Sequence, residues 1–307
     1  MSDDMTSKKI VVLGSVNADH VLDVQSFPTP GETKVGSNYR VVAGGKGANQ
    51  AVACARLGGA MQFIACVGDD TEGHGTIASL ARDGMDTSNI EVIKNGRTGV
   101  ALIFVNREGE NCIGISAEAN AELTPEKVQQ NQALIANADY LLMQLEVPVE
   151  SVTLAAEIAR KSQTQVILNP APALKSFPDK LLHYIDMITP NQTEAEILTG
   201  VCVNSEEDAE RAAALLHEHG IKVVIITMGS SGAYVSGPSG KRMISGRAVK
   251  VLDTTAAGDT FNGALVVALA QGRELDDAVN FANAAAAISV TKAGAQPSIP
   301  WRYEIEN

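Results

Sequence analysis

Asp253-Thr254-Thr255-Ala256-Ala257-Gly258-Asp259-Thr260-Phe261-Asn262-Gly263-Ala264 runs from a polar turn, through three small residues, into an apolar helix that continues to Ala270. An acid, Asp259, stands where that helix begins. The first amides of a helix lack partners within it and attract anions. Ala256, Ala257 and Gly258 are small enough to let a phosphate approach those donors. A carboxylate there stabilises the helix, yet beside a bound phosphate it repels, so it needs a task. Accepting a proton from an attacking hydroxyl is the obvious one. A helix-start acid after a tightly packed turn explains the same residues without any chemistry.

Outward from this stretch, short apolar runs alternate with amphipathic windows. Residues 10–14, 63–68, 140–145, 166–169, 187–189 and 223–228 are β-branched or bulky and bounded by turns, the pattern of buried strands. Helices are predicted over 49–57, from the Thr124-Pro125 cap, over 151–160, and over 206–219 between Ser205 and Gly220. This alternation implies a mostly parallel sheet covered on both faces, a three-layer α/β/α sandwich. Residues 33–42 and 99–116 break the pattern: they are strand-like without an intervening helix, the second turning as a hairpin at 106–109. A small outlying sheet follows, which serves either as a lid over a substrate or as a surface for a second subunit.

Composition narrows the partners. The 307 residues carry 24 basic and 36 acidic side chains, net −12, which disfavours nucleic acid and anionic membranes. Any phosphate must be held by local amides or a metal rather than by a basic surface. Cys54, Cys66, Cys112 and Cys202 are widely spaced, so neither a zinc site nor a disulfide framework is expected; most read as small core residues. No apolar leader is seen in MSDDMTSKK and no apolar run reaches membrane-spanning length, so the expected location is the cytoplasm.

Four further constellations carry possible chemistry. After the first strand, Asn17 and Asp19 lie two apart and in extended structure face one side, where they could grip a diol; an Asx-turn is the alternative. The single Gly14 lacks the rest of a G-x-G-x-x-G, which argues against a dinucleotide oxidoreductase. Gly44-Gly45-Lys46-Gly47-Ala48-Asn49 resembles a phosphate-binding P-loop only superficially. Gly47 stands where Ser or Thr should hold magnesium, and Arg40 fills the first Gly position. Its glycines, with Lys46 and Asn49 as donors, suit hydroxyls, or make a turn before a helix. Asn191 and Glu194 sit at a strand-to-helix junction, placed for Mg²⁺ beside phosphates or simply as a helix cap. Thr227-Met228-Gly229-Ser230-Ser231-Gly232 is either a phosphate cradle or a hairpin turn into 233–236. No histidine has a Ser or Cys partner in a nucleophile motif, so acyl transfer has no support.

Taken together these segments resemble the ribokinase (PfkB) family of carbohydrate kinases across essentially the whole chain. Both family signatures are present: G-G-K-G-A-N-Q-A over 44–51, with Gly58 and Gly68 following, and D-T-T-A-A-G-D-T-F-N-G-A. N-A-D-H after the first strand, M-Q-L-E, and the ending G-A-Q-P-S-I-P-W resemble the ribose-phosphorylating bacterial members.

The resemblance implies a single ribokinase-like domain over 1–307 with a lid from roughly 17–42 and 98–117, through which two subunits pair. It implies ATP-dependent conversion of D-ribose to D-ribose 5-phosphate, with another sugar (deoxyribose, fructose) or a nucleoside as alternative acceptors. Asp259 would be the base, and the amides of Ala256, Ala257 and Gly258 the anion hole. Asn17, Asp19, Gly45, Lys46, Asn49 and Glu146 would hold ribose with Asp259. Asn191, the turn Thr227, Met228, Gly229, Ser230, Ser231 and Gly232, with Gly258 and Asn283, would contact ATP. Glu194 would organise Mg²⁺ through water. K⁺ would be held at Asp253, Thr255, Ser289, Lys292 (by its carbonyl alone), Gly294 and Ser298. A non-catalytic sugar-binding module is the rival from another class; an intact A-A-G-D argues against it.

Overall fold

The computed structural model describes residues 8–306. Asn307 and residues 1–7, most of the N-terminal stretch read above as free of an apolar leader, lie outside the described residues. The strands are β1 (Lys9–Leu13), β2 (Asn17–Asp23), β3 (Ser37–Gly44), β4 (Ala60–Gly68), β5 (Ile90–Ile93), β6 (Gly99–Val105), β7 (Asn111–Ser116), β8 (Tyr140–Met143), β9 (Gln165–Leu168), β10 (Met187–Ile188), β11 (Val223–Thr227), β12 (Gly232–Gly237) and β13 (Gly240–Ser245). Nine of them form one sheet in the order β13-β12-β11-β10-β9-β8-β1-β4-β5. From β5 to β11 every neighbour is parallel, and β12 and β13 close that edge as antiparallel strands.

Side chains alternate across a strand, and here both faces are buried. Ile10 and Val12 of β1 pack into one core with residues of the helices Lys46–Arg56, Ala257–Ala270 and Leu275–Ser289. Val11 and Leu13 pack into the other, with the helices Val149–Lys161 and Glu206–Glu218. Three layers result, as the alternation implied. Among the described residues no helix is long and apolar enough to cross a membrane.

The remaining strands form a separate sheet, β3-β2-β6-β7. The hairpin β6–β7 turns at 106–109 as read, with Gly109 N–H on the Asn106 carbonyl at 3.0 Å. Three details differ from the sequence reading. The segment after Gly14 is a full strand, β2, paired with β3 and β6, and its Asn17 and Asp19 are buried rather than turned to solvent. The third strand begins at Ser37, later than residue 33. The helix begins at Ala257, two residues before Asp259, so Ala257 and Gly258 lie in its first turn and Ala256 is its cap. The cysteines also divide: Cys54 and Cys66 are buried, but Cys112 lies on exposed β7 and Cys202 in an exposed loop.

Candidate active site

Functional side chains gather at the C-terminal ends of the parallel strands, where open α/β sheets hold ligands. Ser15 follows β1, Glu146 follows β8, Asn169 follows β9, Thr189 follows β10, and Thr227 ends β11. A cavity of about 190 Å³ there is lined by Lys46, Asn169, Thr189, Asn191, Glu194, Thr227 and the turn 254–259, among others.

The turn is built for close approach. Ala256 caps the helix in the left-handed region, φ 60°, a conformation costing a non-glycine residue about 1–2 kcal/mol. Ala257 N–H meets the Thr254 carbonyl at 3.2 Å, a long bond that a stronger acceptor can displace. A Cβ at Gly258 would meet nothing within 4 Å, so the space above it is open. Asn262 pins this first turn: its Nδ2 donates to the Gly258 carbonyl at 2.8 Å, and its Oδ1 accepts from Thr189 Oγ1 at 2.6 Å.

Asp259 is 7% exposed. Its Oδ2 accepts from Asn49 Nδ2 at 2.9 Å and its Oδ1 from Gln50 Nε2 at 3.0 Å. Glu146 Oε2 accepts from the Lys46 amide at 3.0 Å and from Ser15 Oγ at 2.6 Å, tying the loop after β8 to the start of the helix Lys46–Arg56. Gly45 precedes that helix at φ 88°, and a Cβ there would come within 2.7 Å of the Asn17 amide. Asn17 Oδ1 accepts from Asn120 Nδ2 at 2.8 Å. Asp19 rests against bare Gly44, where a Cβ would lie 2.1 Å from its Oδ2.

Electrostatics link these groups. Burial, with Glu146 and Asp259 nearby, pushes the Asp19 carboxyl up to about 7. Burial alone would depress the Lys46 ammonium, but Asp259, Glu146, Glu194 and Asp19 together hold it above its ordinary value. Glu194 is raised, chiefly by burial. One lysine thus sits among four carboxyl groups.

The residues expected to meet a nucleotide or a cation divide. Asn191, Glu194, Thr227 and Gly258 line the cavity. Asn191 and Glu194 form a reciprocal capping box for the helix Gln192–Thr199, each side chain on the other's amide at 2.8 Å. Residues Thr227–Gly232 make the tight turn between β11 and β12, with Met228 N–H on the Gly232 carbonyl at 2.8 Å. Asn283 is away from the cavity lining and donates to the carbonyls of Ile244 and Ser245 at 3.2 and 3.3 Å. Asp253 accepts from Thr255 N–H and Oγ1 at 2.9 and 2.6 Å and from Gly294 N–H at 2.8 Å, and these bonds hold its carboxyl low despite burial. Ser289 and Ser298 turn their hydroxyls onto Ala286 and Ala295, and Lys292 pairs with Glu304 at 2.6 Å. The two serine oxygens, acting as donors there, keep lone pairs for a cation, whereas Lys292 has only its backbone carbonyl to offer one.

Ser15, Gln50, Asn120, Gln144, Asn169 and Asn262 escaped the sequence reading as individuals. Gln50, Gln144 and Asn262 lie inside quoted motifs, but only the fold shows which groups they touch.

A three-layer α/β/α sandwich with a helix-start carboxylate beside open amides suits phosphoryl transfer, and the comparisons give it a family. The model of the pfkB family carbohydrate kinases matches residues 7–302, and the chain belongs to that family. It is 52% identical to the ribokinase of Haemophilus influenzae over 297 residues, 97% of each chain. It is 42% identical to the ribokinase of Staphylococcus aureus, covering 97% of this chain and 99% of the relative. The structure of Arabidopsis thaliana ribokinase complexed with ribose and ATP superposes with a TM-score of 0.91 at 32% identity, covering 98% of each chain.

Proposed function

We infer that this chain transfers the terminal phosphoryl group of ATP to the 5-hydroxyl of D-ribose, giving D-ribose 5-phosphate and ADP. The observation that carries the assignment of roles is Asp259, a buried carboxylate held by Asn49 in the first turn of a helix whose small-residue start is open to the cavity. The 5-hydroxyl gives its proton to Asp259 as its oxygen bonds to the γ-phosphorus. The bond from that phosphorus to the bridging oxygen breaks, and ADP leaves. The amides of Ala256, Ala257 and Gly258 hold the charge on the transferring group.

Asn17, Asp19, Gly45, Lys46, Asn49 and Glu146 hold the sugar, a set rich in hydroxyl partners and without an aromatic platform for a base. This favours a small sugar over a nucleoside. ATP lies along Asn191, Glu194 and the Thr227–Gly232 turn, with its base towards Asn283. Glu194, half-buried and lining the cavity, would hold Mg²⁺ through water, and the ion would supply neutralisation of phosphate charge. The all-oxygen set around Asp253, with carbonyls from 289–298, fits K⁺.

The small sheet is read as a lid over the sugar, since β2 presents Asn17 and Asp19 on one face. Its opposite face carries Tyr39, Val41 and Leu102, exposed by 63%, 45% and 55%, a surface that suits pairing with a second copy. Four free cysteines suit a reducing, cytoplasmic setting. A coupled ADP-release assay over ribose, deoxyribose, fructose and nucleosides tests the substrate: ribose gives the highest kcat/KM, and a better turnover with any other acceptor rejects ribose.

A further inference from the structure

Behind Asp259 lies a chain of buried amides that the proposed function does not use: Gln50, Asn169 and Gln144, exposed by 0%, 7% and 0%. Its orientation is decided at a backbone carbonyl. Thr189 O can only accept, so Asn169 Nδ2 donates to it, at 3.1 Å. Asn169 Oδ1 therefore faces Gln50, whose Nε2 donates to it at 3.0 Å and to Asp259 Oδ1, also at 3.0 Å. Gln50 Oε1 then accepts from Gln144 Nε2 at 2.5 Å. Gln144 Oε1 is buried without a hydrogen-bond partner and lies over Gly14, where a Cβ would come within 2.1 Å of it. The glycine after β1, too isolated for a dinucleotide fingerprint, is the gap that admits this side chain.

We infer that Gln50, oriented by Asn169 and held from behind by Gln144, is a positioning residue for the carboxylate of Asp259. With Asn49 on Oδ2 and Gln50 on Oδ1, each oxygen has one amide donor. The carboxylate plane is thereby set before a sugar arrives, and the proton acceptor needs no reorientation during transfer. Keeping a buried amide oxygen unpaired at Gln144 is costly, and the arrangement it permits is a donor aimed at the base. This inference rests on reading Asp259 as the base.

Gln50→Glu tests it. The substitution keeps the volume and the acceptor towards Gln144, but turns the donor facing Asp259 into a second acceptor. The full-length variant loses about 10–100-fold in kcat with ribose, at least as much as Gln50→Leu, while KM for ribose and ATP stays within about twofold. A packing role would make Leu the worse substitution and leave kcat per folded molecule unchanged. If neither Gln50 variant folds, Gln144→Met carries the test, with kcat falling about 2–10-fold. Wild-type kcat in folded Gln50→Glu, or in Gln144→Met when the others fail to fold, overturns the positioning role. Near-normal turnover in Asp259→Asn overturns instead the base on which it rests, so the two failures are distinguishable.

Discussion

Asn49 Nδ2 lies 2.9 Å from Asp259 Oδ2, a bond between residues 210 positions apart that joins the two signature stretches. The N-terminal glycine-rich turn and the C-terminal helix start are therefore halves of one site. Each was open to a bland reading alone: a turn before a helix, and a helix-start acid. Their contact places both in one buried cluster, and the Asp259 carboxylate bonds to Asn49 and Gln50 of the other motif.

Asp259→Asn removes the proton acceptor while keeping shape and burial. We expect kcat to fall by about 10²–10⁴-fold, the usual worth of general-base assistance. Ribose and ATP should still bind by calorimetry. Turnover close to wild type would reject the base.

Asp19 ties stability to pH. Its folded value of about 7 stands above the ordinary 3.8, so between these values the folded chain holds a proton that the unfolded chain has released. Its contribution to stability is present at low pH and lost as pH rises through about 7. Asp19→Asn, which cannot ionise, should gain stability over the wild type at pH 8 relative to pH 5 in denaturant melts. An equal difference at both pH values would rule this out.

Gly44→Ala puts a methyl group where the Asp19 carboxylate lies, 2.1 Å from Oδ2. The acid must move, so ribose affinity should drop by about 10–100-fold, the loss expected for a bond to a charged group. ATP affinity should stay level. A calorimetric titration showing unaltered ribose binding would contradict the placement of Asp19 against the sugar.

Leu102, 55% exposed on the outer face of the small sheet, tests the pairing of two copies. Leu102→Glu introduces a charge that would be desolvated between subunits, so sedimentation should shift from dimer to monomer. A wild-type monomer at assay concentrations dismisses the pairing outright.

The cation site is checked by exchange. Replacing K⁺ with tetramethylammonium should lower kcat, because an organic cation cannot accept oxygen ligands at close range. Asp253→Ala should lower it further and blunt the response to K⁺. Equal rates in both salts would count against the site.

Much was legible along the chain. Short unbroken apolar runs such as 10–13 and the capped helix after Ser205 depend on neighbours, and local rules reach them. The strand Asn17–Asp23 was less legible, because its inward face is polar and reads as a turn when hydrophobicity is the guide. Gln50 and Gln144 were not legible at all. A glutamine in a helix or after a strand has no local signature, and its partners lie 94 to 209 positions away.

By itself the sequence determined a parallel sheet clothed in helices, a phosphate-friendly helix start, and an acid placed in it, since each follows from residues within a few positions. Only the tertiary structure decided which amides face that acid, how Asp19 comes within range of the Lys46 charge, and that the Glu194 carboxylate bonds to the Asn191 amide. The first two depend on long-range packing, where one backbone carbonyl, that of Thr189, orients a file of side chains no local pattern connects.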